Sequence, residues 1–481
     1  MAPFRDDLVP ATSWAFLRSV GTRLQPRIVA QQPGPSLWRC TICEYIMRAL
    51  HVFPHFSVDR TNGASHYQYS LTRALQARGV RVHVFATRTE RFVGHAAFGL
   101  EWPPELPAGA CEIDGVPVTR FAVSYSPSVR AGRAMSLAIL RRWEQEQGAG
   151  SLGERASPED VIRSLHSRAI TRPHRYDWFA ALGRGPNSAG LLRAIVTQRA
   201  HYDVLLVGYA PFALIGQVTM AARLARRPVV LLPLFHANDP YHHFRSVYRS
   251  IERADRVLAQ TAYGVDLFRR LFPRARPVEI GAGVDPAAFA SKDVSGERFR
   301  QHHGLEKKRP IVLMVGRKEP GKCWDLAVEA IDRVPGNAVL VLIGRDIDCR
   351  PIASDRVLHL GEVEDQELRD AYDACDVLVH PSENESFGMI LLEAWMRAKP
   401  VIGSRRCGPV ASLIREGIDG ELCDGADDLA RLIAGILACP QRAARLGAAG
   451  RERVVRRYSW NEIARRVEMV YSEVLGALKP S

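Results

Sequence analysis

From Met47 onward, short apolar runs alternate with amphipathic stretches. Met47-Arg48-Ala49-Leu50-His51-Val52-Phe53 reads as a first strand. The cluster Thr61-Asn62-Gly63-Ala64-Ser65 follows as a turn. Helical spacing then runs from His66 to Arg78, with Tyr67, Leu71, Ala74 and Leu75 as its apolar positions and Gly79 as its stop. Val80 to Ala86 reads as the next strand. Strand, glycine turn, helix, glycine and strand make a βαβ unit. Residues 101–200 are less regular; Gly148-Ala149-Gly150-Ser151 reads as a loop tip and Ser157-Pro158-Glu159-Asp160 as a helix start. Strands over 203–207 and 228–232 then flank a helix near 212–225.

A linker-like stretch spans about 281–296. Beyond it the alternation is clearer. Strands are expected over 311–315, 338–343, 357–360, 376–380 and 400–402, with helices near 324–333, 365–374, 387–398 and 408–416 between them. These strands are unbroken Val/Leu/Ile runs, as in a parallel sheet covered on both faces. Ser459 and Glu462 form a capping box for a last helix, whose apolar stripe is Ile463, Val467, Val470, Tyr471 and Val474. The expected fold class is α/β, with two doubly wound Rossmann-like domains facing a cleft. Residues 1–46 read as an extension outside the core. An N-terminal, acceptor-side domain covers 47–285 and a C-terminal, nucleotide-binding domain 286–458; the helix over 459–481 is expected to pack back toward the first domain. Ligands bind such sheets at the carboxyl ends of strands, so the cleft is the expected site.

Composition narrows the class. The 481 residues are 47% apolar and 24% charged, enough for a full core. The net charge of +13 favours anionic partners, which include nucleotides and an anionic membrane surface. No Lys/Arg block is interleaved with aromatics, so nucleic acid is not expected. Nine widely spread cysteines, an odd number, fit reduced thiols and a cytoplasmic chain. Cys40 and Cys43 lack a second pair at zinc-ribbon spacing. His242/His243 and His302/His303 read as surface histidines, because no acidic or cysteine partner lies near them at ligand spacing. No apolar run approaches the ~20 residues that span a bilayer. The chain is therefore expected to be cytoplasmic, and peripheral if it meets the inner face of the membrane.

Two segments carry candidate chemistry. Pro381 to Glu393 reads as the end of a buried strand, a polar loop, and a helix starting near Ser386 or Phe387. Unpaired amides at a helix start make an anion site, and Gly388 permits close approach of a diphosphate to the backbone. Glu385 and Glu393 lie eight residues apart, about 12 Å along a helix. That matches the reach from a donor sugar, across two phosphates, to a ribose. The same spacing also describes two surface glutamates; the strand–loop–helix context gives it weight. The second segment, Val315 to Lys322, follows a strand. Gly316, Pro320 and Gly321 shape a turn from which Arg317 and Lys322 can enter the cleft and neutralise a leaving nucleoside diphosphate without a metal. Cys323 stands where a P-loop requires Ser or Thr. His236 ends an apolar strand in the first half, ahead of Asn238 and Asp239; a satisfied polar residue is the plainer reading of it.

Taken together, these motifs resemble the retaining glycosyltransferases of the GT-B fold, specifically the glycosyltransferase family 4 group. The stretches that carry the resemblance are Val315-Gly316-Arg317 with Lys322, Glu385-Ser386-Phe387-Gly388 to Glu393, Gly281 to Asp285, Tyr458-Ser459-Trp460, and the glycine turn Thr61 to Ser65. The resemblance implies that Arg317 and Lys322 grip the donor diphosphate and that Gly316 shapes their turn. It implies that Glu385 contacts the donor sugar, that Glu393 contacts the ribose, and that the amides around Ser386, Phe387 and Gly388 hold the distal phosphate. His236 would sit under the donor sugar and Gly63 near the phosphates. The implied activity is transfer of a sugar from a UDP- or GDP-sugar to a glycan, lipid-linked or small-molecule acceptor with retention, using no cofactor and no metal. Three positions depart from the family pattern: Cys323 and Lys399 stand where glycine is common, and Cys407-Gly408 where a glycine pair is common. A silent GT-B scaffold, a nucleotide-sugar epimerase and a phosphorylase are the competing readings.

Overall fold

Val, Leu and Ile runs bounded by polar turns form two separate sheets in the computed structural model, which describes residues 46–58, 63–90, 105–124, 126–147, 177–237, 242–290 and 293–477. The first sheet holds β1 (Arg48–Phe53), β2 (Arg81–Thr87), β3 (Gly109–Ile113), β4 (Val116–Phe121), β5 (Val204–Gly208), β6 (Val229–Leu232), β7 (Arg256–Ala259) and β8 (Pro277–Glu279). Their order is β3-β4-β2-β1-β5-β6-β7-β8. Every pairing is parallel except the β3–β4 hairpin. The second sheet is wholly parallel, in the order β11-β10-β9-β12-β13-β14. Its strands are β9 (Ile311–Val315), β10 (Val339–Ile343), β11 (Val357–Gly361), β12 (Val377–His380), β13 (Val401–Ser404) and β14 (Glu421–Cys423). All five residues of β5 and of β10 are buried, as befits central strands covered on both faces.

Several expectations need correction. The strands β7 and β8 and the helices Arg245–Arg253 and Ala262–Leu271 went unread, because their arginines and prolines break the apolar run. The stretch 281–296 is not slack chain. Ala282 and Val284 are buried, the Val284 amide donates to the Tyr458 carbonyl at 2.8 Å, and a Cβ on Gly283 would meet the Trp460 ring at 2.5 Å. His242 and His243 are both 1% exposed rather than surface residues. They pack against the Phe235 ring, and His243 bonds Tyr248 Oη and the Ala237 carbonyl. Residues 1–45, Thr61, Asn62, the loop tip 148–151, the helix start 157–160, and Asn238 with Asp239 lie outside the described residues.

The last helix, Trp460–Gly476, packs on the helix Gly63–Ala77 of the first sheet. The Ser459 hydroxyl caps it by accepting the Glu462 amide at 3.2 Å. Ile463, Val467, Val470, Tyr471 and Val474 are all buried, each worth roughly 1.5–3 kcal/mol of transfer energy. His51 on β1 bridges Thr72 Oγ1 at 2.8 Å and Tyr471 Oη at 3.0 Å. Arg78–Glu468 and Arg256–Glu473 pairs add rim contacts. The chain thus crosses to the second sheet and returns, which ties the halves on either side of the cleft.

Candidate active site

The carboxyl ends of β9 and β12 meet at one place. After β9, Gly316 (φ +149°) turns the chain beneath β10, and Gly344 passes so close that a Cβ on it would sit 2.0 Å from the Gly316 carbonyl oxygen. A single 3-10 turn, Pro320–Lys322, follows. After β12, Ser382 Oγ donates to the Gly321 carbonyl at 3.1 Å and locks the two loops together. Lys322 Nζ then reaches Glu385 Oε1 at 2.5 Å, while His380 Nε2 lies 3.0 Å from the same oxygen. Burial alone would raise the Glu385 carboxyl; Lys322 and His380 outweigh it and hold the group well below the carboxylate range. A lysine ammonium has three donors, so the bond to Glu385 leaves others for an anion.

Arg317 is placed differently. Its side chain is 44% exposed and its guanidinium pairs with Glu319 at 2.8 Å. Between these two cations sits Lys318, which the sequence reading passed over. Lys318 is 1% exposed; its Nζ reaches Asp346 at 3.0 Å and Asp348 at 2.6 Å, and lies 4.5 Å from the Trp324 ring centroid. Trp324 Nε1 donates to Asp348 at 2.8 Å. The buried pair anchors the cationic turn to the loop after β10. A lysine inside an otherwise basic turn gives no outward sign that it faces inward; only the Asp346/Asp348 spacing hints at its partners.

The helix expected at Ser386 or Phe387 begins at Met389 and ends at Met396. Gly388, at φ +97°, makes the entry bend, and Phe387 is buried against the Tyr458 ring. Only part of the path from Glu385 to Glu393 is therefore helical. The amides of Phe387 and Gly388 have no partner among the described residues, so both donors remain unused at the helix entry. Glu393 accepts a 2.5 Å bond from Tyr372 Oη, itself buried and held well above the usual phenol range by burial and by that carboxylate. Gly63 opens the helix after β1 with open space over its Cα.

His236 belongs to the first domain, two residues past the Leu234 bend, and is partly buried. Its amide donates to His242 Nδ1 at 2.7 Å, and its own Nδ1 lies 3.3 Å from Asn384 Oδ1. The two domains therefore touch one residue before Glu385. His236, Lys322 and Glu385 are brought to one place through Asn384 and His380, neither of which the sequence reading assigned. The departures from glycine also find partners. Cys323 takes the left-handed conformation (φ +53°), with its thiol pushed up to about 12 by burial. At the end of the Met389–Met396 helix, Ala398 rather than Lys399 is left-handed, so glycine is not needed at 399. Gly408 lies under the Tyr263 ring, where a Cβ would approach to 2.1 Å.

Elsewhere, His302, His303 and Glu367 bring ligand atoms within 4.8 Å of one another, a group able to hold a metal ion. Glu367 is the acidic neighbour that spacing did not show; it arrives from a helix packed alongside and lies 2.8 Å from His303 Nε2. The described cysteines are free thiols. No helix among the described residues is long and apolar enough to cross a membrane.

Comparison with known proteins bears on this geometry. Residues 295–453, which contain every C-terminal site residue named above, match the family model described as glycosyl transferases group 1. D-inositol 3-phosphate glycosyltransferase of Xylanimonas cellulosilytica is 34% identical over 210 residues, 40% of this chain and 50% of that protein. Its counterpart in Mycolicibacterium smegmatis is 32% identical over 273 residues, 50% and 60% of the two chains. The chain thus spans about half the length of the first of these relatives. Among solved structures, Anabaena HepE in complex with UDP and glucose aligns at TM-score 0.60 and 20% identity, over 89% of this chain and 100% of that one. Sucrose-phosphate synthase from Thermosynechococcus elongatus aligns at 0.61 and 19%, over 89% and 100%. The fold is that of the GT-B glycosyltransferases, and within it residues 295–453 match the glycosyl transferases group 1 model.

Proposed function

We propose that the chain is a retaining glycosyltransferase that moves a sugar from a nucleotide-sugar donor to an acceptor held on the side of the first sheet. The observation that carries this reading is the meeting of Lys322, His380 and Glu385 at the carboxyl ends of β9 and β12, beside unpartnered amides at Phe387 and Gly388. Arg317 and Lys322 take the donor diphosphate, Arg317 by exchanging Glu319 for a phosphate oxygen. Lys322 spans phosphate and Glu385, so the carboxylate that orients the sugar hydroxyls is fixed by the cation that meets the leaving group. Glu393, braced by Tyr372, accepts from the ribose diol. His236 and Asn384 close over the sugar from opposite domains. As the glycosidic bond breaks, charge grows on the diphosphate, and preorganised cations lower the barrier there. The departing phosphate oxygen takes the acceptor proton on the same face, which retains configuration. These cations meet the charge without a metal.

HepE, solved in complex with UDP and glucose, supports UDP-glucose as a first donor to test. The relatives named for D-inositol 3-phosphate make that compound a first acceptor. The test is release of nucleoside diphosphate from UDP-glucose, UDP-N-acetylglucosamine and GDP-mannose, with and without acceptor, in the presence of a chelator. Acceptor-dependent release from one donor supports the reading. No release from any donor, or release that needs added Mg²⁺ or Mn²⁺, removes it and leaves the silent scaffold or a metal-assisted site.

A further inference from the structure

We propose that His302, His303 and Glu367 form a binding site for a divalent transition-metal ion of the zinc type, which clamps two helices of the second domain together. The helix Gly296–His302 follows the crossover from the first domain. Ser295 caps it by accepting the Arg298 amide at 3.2 Å. Its start is bound to the helix Asp365–Ala374: the Gly296 amide donates to Asp373 at 2.7 Å, and Arg298 pairs with Asp370 at 2.6 Å. A Cβ on Gly296 would sit 2.7 Å from the Ala374 amide nitrogen, so the backbones are in close contact there. Gly296 meets Asp373 and His303 meets Glu367, so the helices run antiparallel. That places the end of one helix, at His302 and His303, beside the first turn of the other, at Glu367.

The three residues each offer one ligand atom, and these atoms lie within 4.8 Å of one another. A tetrahedron of ~2.0–2.1 Å bonds sets its ligand atoms about 3.3 Å apart, so closure needs shifts of at most about 1.5 Å. Two of the ligands are already held. The His303 ring packs on that of buried Phe299, with centroids 4.6 Å apart, and its Nε2 lies 2.8 Å from Glu367 Oε1. His302 is exposed, makes no hydrogen bond among the described residues, and stands edge-on to His303 at 4.7 Å. It is the ligand free to swing in. Two imidazoles and a carboxylate suit zinc, cobalt, nickel or copper rather than magnesium or calcium, which prefer oxygen alone. Three protein ligands leave a fourth position for water. The last carbonyls of the helix Gly296–His302 add partial negative charge that favours a cation. None of the three residues belongs to the turn or loop proposed for the donor, so this site stands or falls apart from glycosyl transfer.

The experiment titrates Co²⁺ into the full chain after treatment with a chelator and desalting. Cobalt is the probe because its visible bands report nitrogen and oxygen ligands, while thiolate ligands add a separate near-ultraviolet band. The expected result is a single bound equivalent with the nitrogen–oxygen spectrum, displaced by Zn²⁺, and a melting temperature raised by either ion. Loss of an outer partner of a metal ligand costs about 10- to 100-fold in affinity, so removing a ligand itself should cost about tenfold or more. His302→Ala and Glu367→Gln are each expected to show that loss. Glu367→Gln keeps an oxygen acceptor for His303, so it retains the parent's metal-free melting temperature while losing the metal. His201→Ala, which removes an exposed histidine of the first domain, keeps the parent affinity. No cobalt binding, a spectrum of thiolate ligation alone, parent affinity in folded His302→Ala and Glu367→Gln, or an equal loss in His201→Ala would each overturn the proposal.

Discussion

Lys322 Nζ lies 2.5 Å from Glu385 Oε1, joining a turn after β9 to a loop after β12 across 63 residues of sequence. The cation proposed for the leaving phosphate and the carboxylate proposed for the sugar are thus one unit. Lys322→Ala is expected to lower kcat by about 10²–10³, the usual cost of removing one preorganised electrostatic partner. Glu393→Ala, remote from the breaking bond, is expected to raise KM for the donor with a smaller effect on kcat. Steady-state kinetics on both variants checks this split.

The same pair sets a pH dependence. The Glu385 carboxyl is held well below 4.5, so the ion pair is complete above that pH and is lost only as pH falls through the lowered value. In Lys322→Met the carboxyl remains buried without its cation, and burial alone moves it upward. The acid limb of the pH–rate profile is therefore expected to shift to higher pH in the variant. Superimposable acid limbs would detach Glu385 from the reaction.

Lys318 tests the frame beneath the site. Its ammonium is enclosed by Asp346, Asp348 and Trp324. Lys318→Met leaves Asp348 without its cation, and breaking one side of a buried pair is strongly destabilising. A fall of several degrees in melting temperature, together with weaker donor binding, is expected. A variant that melts like the parent would show that the turn is held by other contacts.

His51 makes folding sensitive to acid. Burial between Thr72 and Tyr471 holds its imidazole down to about 3, and burial holds His83 down to about 4. Both stay neutral in the fold while the unfolded chain takes up protons below about pH 6.5, so stability falls with pH there. Each contributes a loss of about 1 kcal/mol between pH 7.5 and 5.5. Denaturant melts at the two pH values check the sum, and His51→Gln is expected to remove roughly half of the slope.

Cys323 stands in a left-handed conformation that costs a side-chain-bearing residue about 1–2 kcal/mol. Cys323→Gly relieves that strain but adds freedom to the unfolded chain, worth about 0.5–1 kcal/mol. The net expectation is a gain of up to about 1 kcal/mol with activity kept, against a clear loss for Cys323→Val. Denaturation midpoints of the two variants decide it.

The sequence was most legible where burial on both faces imposes a pattern. Ile311–Val315 and the helices Trp324–Arg333 and Asp365–Ala374 stand at the expected bounds. Legibility failed where a residue's role depends on a distant partner. Nothing near Lys318 in sequence says that it turns inward, and nothing near His242 says that Phe235 covers it. His380 reads as the last residue of a buried strand, and its proximity to Glu385 depends on the loop that follows. Asn384 acquires meaning only when His236 arrives from the other domain. The helix start was misplaced because Phe387 reads as a helical residue, while Gly388 places the bend after it.

The central claim is that the turn bearing Arg317 binds the diphosphate of a nucleotide donor. Arg317 is exposed and its partner Glu319 lies on the same turn, so Arg317→Ala leaves the fold intact. The direct measurement is calorimetric titration of UDP and GDP into the parent and Arg317→Ala proteins without divalent metal. The account predicts one site for at least one nucleotide in the parent. It predicts a dissociation constant about 10- to 100-fold higher in the variant, the loss of one charge-assisted hydrogen bond worth ~1.5–3 kcal/mol. Equal affinities in two folded proteins, or no binding of either nucleotide to the parent, would contradict it.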